Sequence, residues 1–195
     1  MIAAAAAAAG LLAGCGGTTT PSPATNPPAR ATSTTGAQHN QTDLTFLQEM
    51  IPHHAQAIAM AQLVSTRAAS PQVKALASRI EAEQNPEIQQ MSDLLKSWGA
   101  PVPATTPGMA GMQHGPAPMP GMMSNEQMQQ LSSASGPAFD RMFLQMMIAH
   151  HQSAVTMAQT ELAQGSNPTA RQLAQQIINA QQAEITEMQT LLQQT

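Results

Sequence analysis

The chain has little of what several common protein classes need. Among its 195 residues there is no Tyr and one Cys, and aromatic residues make up 2% and charged residues 9%. One Cys excludes an internal disulfide, and the scarcity of aromatic residues and of Val and Ile disfavours a β-sandwich. The net charge of −4, without a basic run, gives no support for nucleic-acid binding. Ala, Gln and 15 Met dominate instead, and because these are good helix formers we predict an all-α protein.

The first residues have the features of an export signal. A short apolar stretch ends in the sequence Leu-Ala-Gly-Cys, which resembles a bacterial lipobox, and its Cys15 is the single Cys of the chain. We predict a lipoprotein signal peptide over 1–17, lipidation of Cys15, and an exported protein anchored on the periplasmic or extracytoplasmic side. The stretch is shorter than the roughly 20 residues that span a bilayer. An ordinary signal peptide is the alternative, and no Lys or Arg precedes the apolar stretch as the usual pattern requires.

The segment 18–40 is predicted to be a disordered tether between membrane and domain. It consists largely of Thr, Pro, Ser, Ala and Gly. Such a composition buries too little apolar surface to offset the entropy lost on ordering.

The remainder contains one unit twice. Residues 43–95 and 140–192 align without a gap at an offset of 97, with 22 identical residues in 53 positions. Each copy predicts a helical hairpin, over 41–98 and 124–195. Because one hairpin cannot cover its own apolar face, we predict a four-helix bundle with a pseudo-twofold axis and a long connection, 99–123.

The first helix of each hairpin directs a His pair inwards. With about 100° between successive residues, the side chains near Met50 form one apolar face. That face contains Phe46, His53, His54, Ala57, Met60, Ala61 and Val64. Pro52 predicts either a kink or a helix that begins near Ile51. The second copy repeats the pattern around Met147, His150, His151 and Met157.

The second helix of each hairpin begins at a predicted N-cap, Ser70 or Asn167, followed by Pro. Its inward face carries a carboxylate and a methionine in both copies. These residues, candidates for support behind metal ligands, are Glu87, Met91, Glu184 and Met188. A carboxylate on a buried face needs a partner. Either each Glu is a structural polar group paired with Gln, Arg or His, or it supports or coordinates a metal.

The connection between the hairpins is rich in Met, Gly and Pro. Its candidate ligands are Met109, Met112, His114, Met119, Met122 and Met123. Thioethers are soft ligands suited to Cu(I), so metal capture is one interpretation, and a low-complexity linker is the other.

The pattern Phe-x3-Met-Ile-Pro-His-His-x2-Ala-Ile-x-Met-Ala, with a later Glu-Ile-x2-Met-x2-Leu-Leu helix, resembles the family catalogued as "domain of unknown function 305". The resemblance implies a ferritin-like helical fold, export and, in some members, copper binding. The positions that match its motif are His53, His54, Met60, His150, His151 and Met157. Ala149 and Thr156 depart from the motif but are not candidate ligands.

We therefore predict an exported metal-binding protein that captures copper, with Cu(I) favoured, for tolerance or delivery. The predicted ligands are His53, His54, His150, His151, Met50, Met60, Met147 and Met157. The alternative is a metal-free structural or interaction bundle with hydrogen-bonded core histidines. A ferritin-like redox enzyme is disfavoured because the Glu-x-x-His motifs of di-iron bundles are absent from the sequence, and we expect no catalytic residues.

Overall fold

Residues 38–105 and 121–194, described by a computed structural model, contain five α-helices and no strand. The helices are α1 Gln41–Arg67, α2 Pro71–Ser97, α3 Asn125–Ser133, α4 Gly136–Gln164 and α5 Pro168–Leu192. The predicted all-α bundle is confirmed. None of these helices combines the length and the apolar character needed to cross a membrane. The predicted signal peptide with Cys15, and most of the predicted tether, lie outside the described residues.

Local capping sets the helix ends. The Ser70 side chain accepts a hydrogen bond from the Val73 N–H, and that of Asn167 accepts from the N–H groups of Thr169 and Ala170. Such caps satisfy backbone donors that have no partner within the helix. Helix α1 begins at Gln41 and contains Pro52 in its interior. The alternative start near Ile51 is therefore wrong, because capping at the preceding Asn40 and burial of the following face favour the longer helix.

The four long helices form two hairpins, α1–α2 and α4–α5, with α1 packed against α4 and α2 against α5. Their apolar side chains form two clusters. The Phe46 cluster includes the buried apolar residues between 46 and 51 of α1 and between 154 and 158 of α4. The Phe139 cluster includes the buried apolar residues between 57 and 64 of α1 and between 139 and 147 of α4. On both helices, the stretch between the clusters is where the His pair lies.

An aspartate of each hairpin holds the loop of the other. The Asp43 carboxylate accepts hydrogen bonds from the backbone N–H groups of Ser166 (3.1 Å) and Asn167 (2.9 Å) in the α4–α5 loop. Asp140, at the equivalent position, accepts from the N–H groups of Ala69 (3.1 Å) and Ser70 (2.8 Å) in the α1–α2 loop. Both aspartates are buried. These reciprocal contacts fix the two hairpins against each other and so fix the position of the histidines.

Candidate metal centre

The four histidines of the repeat form a buried layer, called here the His layer, between the two apolar clusters. His53, His54, His150 and His151 are each 0% exposed. His53 and His150 occupy equivalent positions, and their ring centroids lie 3.7 Å apart with an interplanar angle of 34°. Equivalent residues can meet in this way only at the pseudo-twofold axis, so this pair marks the axis of the bundle.

The other two histidines are hydrogen-bonded to carboxylates of their own hairpins. His54 Nε2 lies 2.7 Å from Glu87 Oε2, and His151 Nε2 lies 2.7 Å from Glu184 Oε2. A carboxylate accepts, so each Nε2 carries the proton, and in the neutral ring Nδ1 then has the lone pair. Neither Nδ1 has a hydrogen-bond partner among the described residues. A carboxylate that fixes one ring nitrogen is the usual arrangement behind a metal-ligating His.

Ser153 fixes the tautomer of His53. The Ser153 hydroxyl donates to the His150 carbonyl at 2.9 Å, and its oxygen also lies 2.7 Å from His53 Nε2. A serine hydroxyl has one proton to donate, so here it accepts from the His53 Nε2–H. The His53 Nδ1 lone pair is thereby left without a partner in the described structure. Three rings of the layer share one tautomer, with Nδ1 unprotonated when the ring is neutral.

His150 differs from the other three rings. Neither of its ring nitrogens has a hydrogen-bond partner within the described ranges. The residue equivalent to Ser153 in the first hairpin is Gln56, and its amide is bonded to the backbone of Met123 instead. The pseudo-twofold symmetry is therefore broken at this one position beside the axis.

Burial keeps the rings of His53 and His150 neutral. It is the main cause that lowers the pKa of His53 and of His150 well below the ordinary value of 6.5. The neighbouring histidines of the layer lower both pKa values further, while the backbone of His53 weakly raises the pKa of His150. Because a metal binds the unprotonated imidazole, these rings are in the ligand form at neutral pH.

The methionines flank the layer on both sides. Met50 and Met91 belong to the Phe46 cluster, against which Met157 packs. Met60, Met147 and Met188 belong to the Phe139 cluster. The structure thus places Met50 and Met60, which are both predicted ligands, in different clusters on opposite sides of the layer. In the ranges that the structure covers, no three His, Cys, Asp or Glu side chains converge on one point as a preformed metal site.

Sequence reasoning missed two polar pairs. Gln84 and Gln181, which are equivalent and identical in the two copies, are each 2% exposed, and neither amide has a partner within the described structure. Each precedes the His-bound glutamate by about one helical turn, and their identity in the repeat was a usable signal. The second pair, Gln56 and Ser153, differs between the copies, so the repeat gives no such signal for it.

The connection is described only at its ends. Met109, Met112, His114 and Met119 lie outside the described residues. Met122 is half-buried, and Met123 is 5% exposed and belongs to the Phe139 cluster. Of the predicted loop ligands, the structure therefore describes only Met122 and Met123.

The family model "Domain of unknown function (DUF305)" matches residues 43–192, which include both hairpins and the whole His layer. The chain belongs to the DUF305 family. A solved DUF305 structure, a candidate secreted protein of Streptomyces coelicolor, is 30% identical with a TM-score of 0.69, and the match covers 78% of this chain and 93% of that one.

The copper-binding protein CopM has the same fold. Its Cu(I)-bound form is 33% identical to this chain with a TM-score of 0.65, and the match covers 80% of this chain and 98% of CopM. CopM has also been solved with Cu(II) and with Ag bound. The chain is also similar to the uncharacterized protein L153 of Acanthamoeba polyphaga mimivirus. The two are 40% identical over 53 residues, which are 27% of this DUF305 chain and 35% of L153. The chain thus spans about a third of that curated relative.

Proposed function

We propose that this DUF305 protein is an exported, lipid-anchored carrier that captures copper as Cu(I) through imidazole and thioether ligands. The observation that carries the proposal is the His layer. Five buried ring nitrogens have no partner among the described residues: Nδ1 of His53, His54 and His151, and both nitrogens of His150. An unpaired polar group in a protein interior costs about 1–3 kcal/mol, and metal coordination is one way to satisfy it.

The donor set favours a soft monovalent ion. Structural zinc sites use four ligands, and di-iron bundles use several carboxylates. The described residues bring no three His, Cys, Asp or Glu side chains to one point. Two imidazoles with one or two thioethers suit Cu(I), which accepts soft ligands and low coordination numbers. Met50, Met91 and Met157 on one side of the layer, or Met60, Met147 and Met188 on the other, supply those thioethers.

CopM supports the assignment because the likeness covers nearly all of its length and because it has been solved with both copper states and with silver. Silver as Ag(I) is a soft analogue of Cu(I). In this proposal Glu87 and Glu184 orient His54 and His151 as ligands, and the role is binding and delivery without catalysis.

The site of action follows from the N-terminal sequence. Lipidation at Cys15 anchors the protein to a membrane on its periplasmic or extracytoplasmic face, and the segment 18–40 gives the bundle reach from that surface. The connection residues Met109, Met112, His114 and Met119 supply further thioether and imidazole ligands for the ion. Mass spectrometry of the membrane fraction tests the anchor, which requires a diacylglycerol thioether on Cys15.

Anaerobic titration of the full chain with Cu(I), against a chromogenic Cu(I) chelator, tests the binding. We expect stoichiometric binding that weakens by at least about tenfold when His53 and His150 are both replaced by Leu, since a loss of about 1.4 kcal/mol of binding free energy weakens the affinity tenfold. Replacing Met109, Met112, His114 and Met119 by Ser gives the matched control for the connection. If Cu(I) binding is lost only in the variant of the connection and is unchanged in the His53, His150 variant, the His layer is structural. If the unaltered chain does not compete with the chelator for Cu(I), the copper assignment is refuted.

A further inference from the structure

Residues 121–123, called here the strap, cross from α4 to α1 beside the His layer. At one end Gly121 has a positive φ of 81°, and a Cβ added to it would lie 2.0 Å from Ser153 Oγ on α4. At the other end the Gln56 side chain on α1 donates to the Met123 carbonyl at 2.9 Å and accepts from the Met123 N–H at 2.7 Å. Both bonds are buried. The strap is therefore held closely on both helices that carry the central His pair.

The Gln56 contact explains why His150 has no partner. Ser153 bonds the His of the opposite hairpin, His53. Gln56 is equivalent to Ser153, and His150 is equivalent to His53. The pseudo-twofold symmetry therefore places Gln56 where its side chain could hydrogen-bond His150. Both polar atoms of the Gln56 amide are bonded to the strap instead, so docking of the strap leaves His150 as the ring with two unpartnered nitrogens.

The two sides of the His layer differ in chemical character. On the α2–α5 side the groups next to the rings are the carboxylates of Glu87 and Glu184. On the α1–α4 side lies the strap, which carries two methionines: the half-buried Met122, and Met123, which belongs to the Phe139 cluster. Carboxylates suit hard cations and thioethers suit soft ones. A soft cation would therefore exchange with the layer on the side of the strap.

We propose that Gln56 is a positioning residue for metal transfer: its amide docks the strap so that the thioethers of Met122 and Met123 pass a soft monovalent cation to and from His150. In each transfer a metal–sulfur bond breaks as a metal–nitrogen bond forms, without a redox change. This inference rests on the proposed function. Gln56 is not a ligand in it, so its loss changes the rate of exchange and leaves the equilibrium affinity in place.

The test replaces Gln56 by Leu, which has a similar size but no amide and no soft donor. Cu(I) exchange between the full chain and a chromogenic Cu(I) chelator is followed by stopped flow in both directions. Because loss of the docked geometry removes a pre-positioned donor, we expect both rates to fall by about tenfold or more, with unchanged affinity. In the metal-free chain, hydrogen exchange at the Met123 amide should accelerate because its acceptor is gone. The Met122→Leu, Met123→Leu double variant should slow Cu(I) exchange to the same extent.

Ser70→Ala is the matched control, because it removes a cap far from the layer and perturbs stability without touching the strap. It should leave the Cu(I) exchange rates unchanged. Rates that stay constant or rise in Gln56→Leu, while the Met123 amide is released, would overturn the inference and make the strap a simple cover. A loss of affinity that accounts for the slower uptake would also overturn it. If the unaltered chain takes up no Cu(I), the proposed function itself has failed.

Discussion

His53 and His150 face each other at 3.7 Å across the axis of the bundle, yet only His53 has a hydrogen-bond partner among the described residues. The two residues occupy equivalent positions in the repeat and are both completely buried. The difference between them comes from one position, where Ser153 serves His53 and Gln56 is bonded to the strap. The unpartnered ring of His150 lowers the stability of the metal-free protein, and it leaves the nitrogens of this ring available to a ligand.

The first prediction concerns the stability of the metal-free chain. His150→Leu should leave the free energy of unfolding unchanged or raise it by about 1 kcal/mol, because it removes unpaired polar atoms from the interior. His53→Leu should lower it by about 1 kcal/mol, because it breaks the bond to Ser153. Urea denaturation in the presence of a chelator measures both. A larger loss for His150→Leu than for His53→Leu would mean that His150 has a partner in the metal-free state.

The second prediction concerns the carboxylates behind the layer. Replacing Glu87 and Glu184 by Gln keeps an acceptor for each His Nε2–H but removes the charge. We expect Cu(I) affinity to fall by about 10–100-fold, the usual effect of losing a carboxylate behind a metal-bound His. Competition with a chelator measures it, and Glu83→Gln, an exposed acid on the same helix that is not bonded to a His, is the control. If the unaltered chain, the Glu87, Glu184 variant and the Glu83 control bind Cu(I) with equal affinity, the His–Glu hydrogen bonds are structural.

A third prediction follows from Glu161, a fully buried acid beside Asp43. Burial first, and then the adjacent Asp43 carboxylate, raise the pKa of Glu161 to about 8, while Arg171 acts weakly in the opposite direction. The folded chain therefore keeps a proton that the unfolded chain loses above its ordinary pKa of 4.5. Stability should fall as the pH rises from there to about 8, with a slope of at most about 1.4 kcal/mol per pH unit.

Glu161→Val tests this, because Val64 occupies the equivalent position in the first hairpin, fully packed. The variant should lose the decline in stability between pH 5 and 8 and should be the more stable protein at pH 8. Thermal melts across that range measure the difference. A decline that persists unchanged in Glu161→Val would place its origin in another group.

The fourth prediction concerns the reciprocal loop contacts. Asp43→Asn and Asp140→Asn each replace a carboxylate that accepts two or more hydrogen bonds from the loop of the other hairpin by a neutral amide that can supply only one oxygen. We expect each variant to lose about 1–3 kcal/mol of stability. Urea denaturation measures the loss, and the exposed Asp93→Asn should change little. If the two variants differ greatly, the two loops do not contribute equally.

Much of the fold was readable from the sequence because its determinants are local. The caps at Ser70 and Asn167, and the burial of both His pairs, follow from residues close in sequence. The contact between His53 and His150 depends on where the axis crosses the helices, which periodicity does not specify. The Gln56–Met123 bonds join residues 67 positions apart, at a position where the two copies differ, so neither pattern nor repeat could indicate them.

The His layer interrupts what would otherwise be one continuous apolar core, and this has a consequence for the lifetime of the protein. An ion that binds only the folded chain stabilises it by an amount that grows with the logarithm of its concentration. Loaded and empty molecules would then differ in how often they open, and proteases act on opened chains. If the His layer binds an ion as proposed, the abundance of the protein would follow the supply of that ion, because the empty molecules would be degraded first.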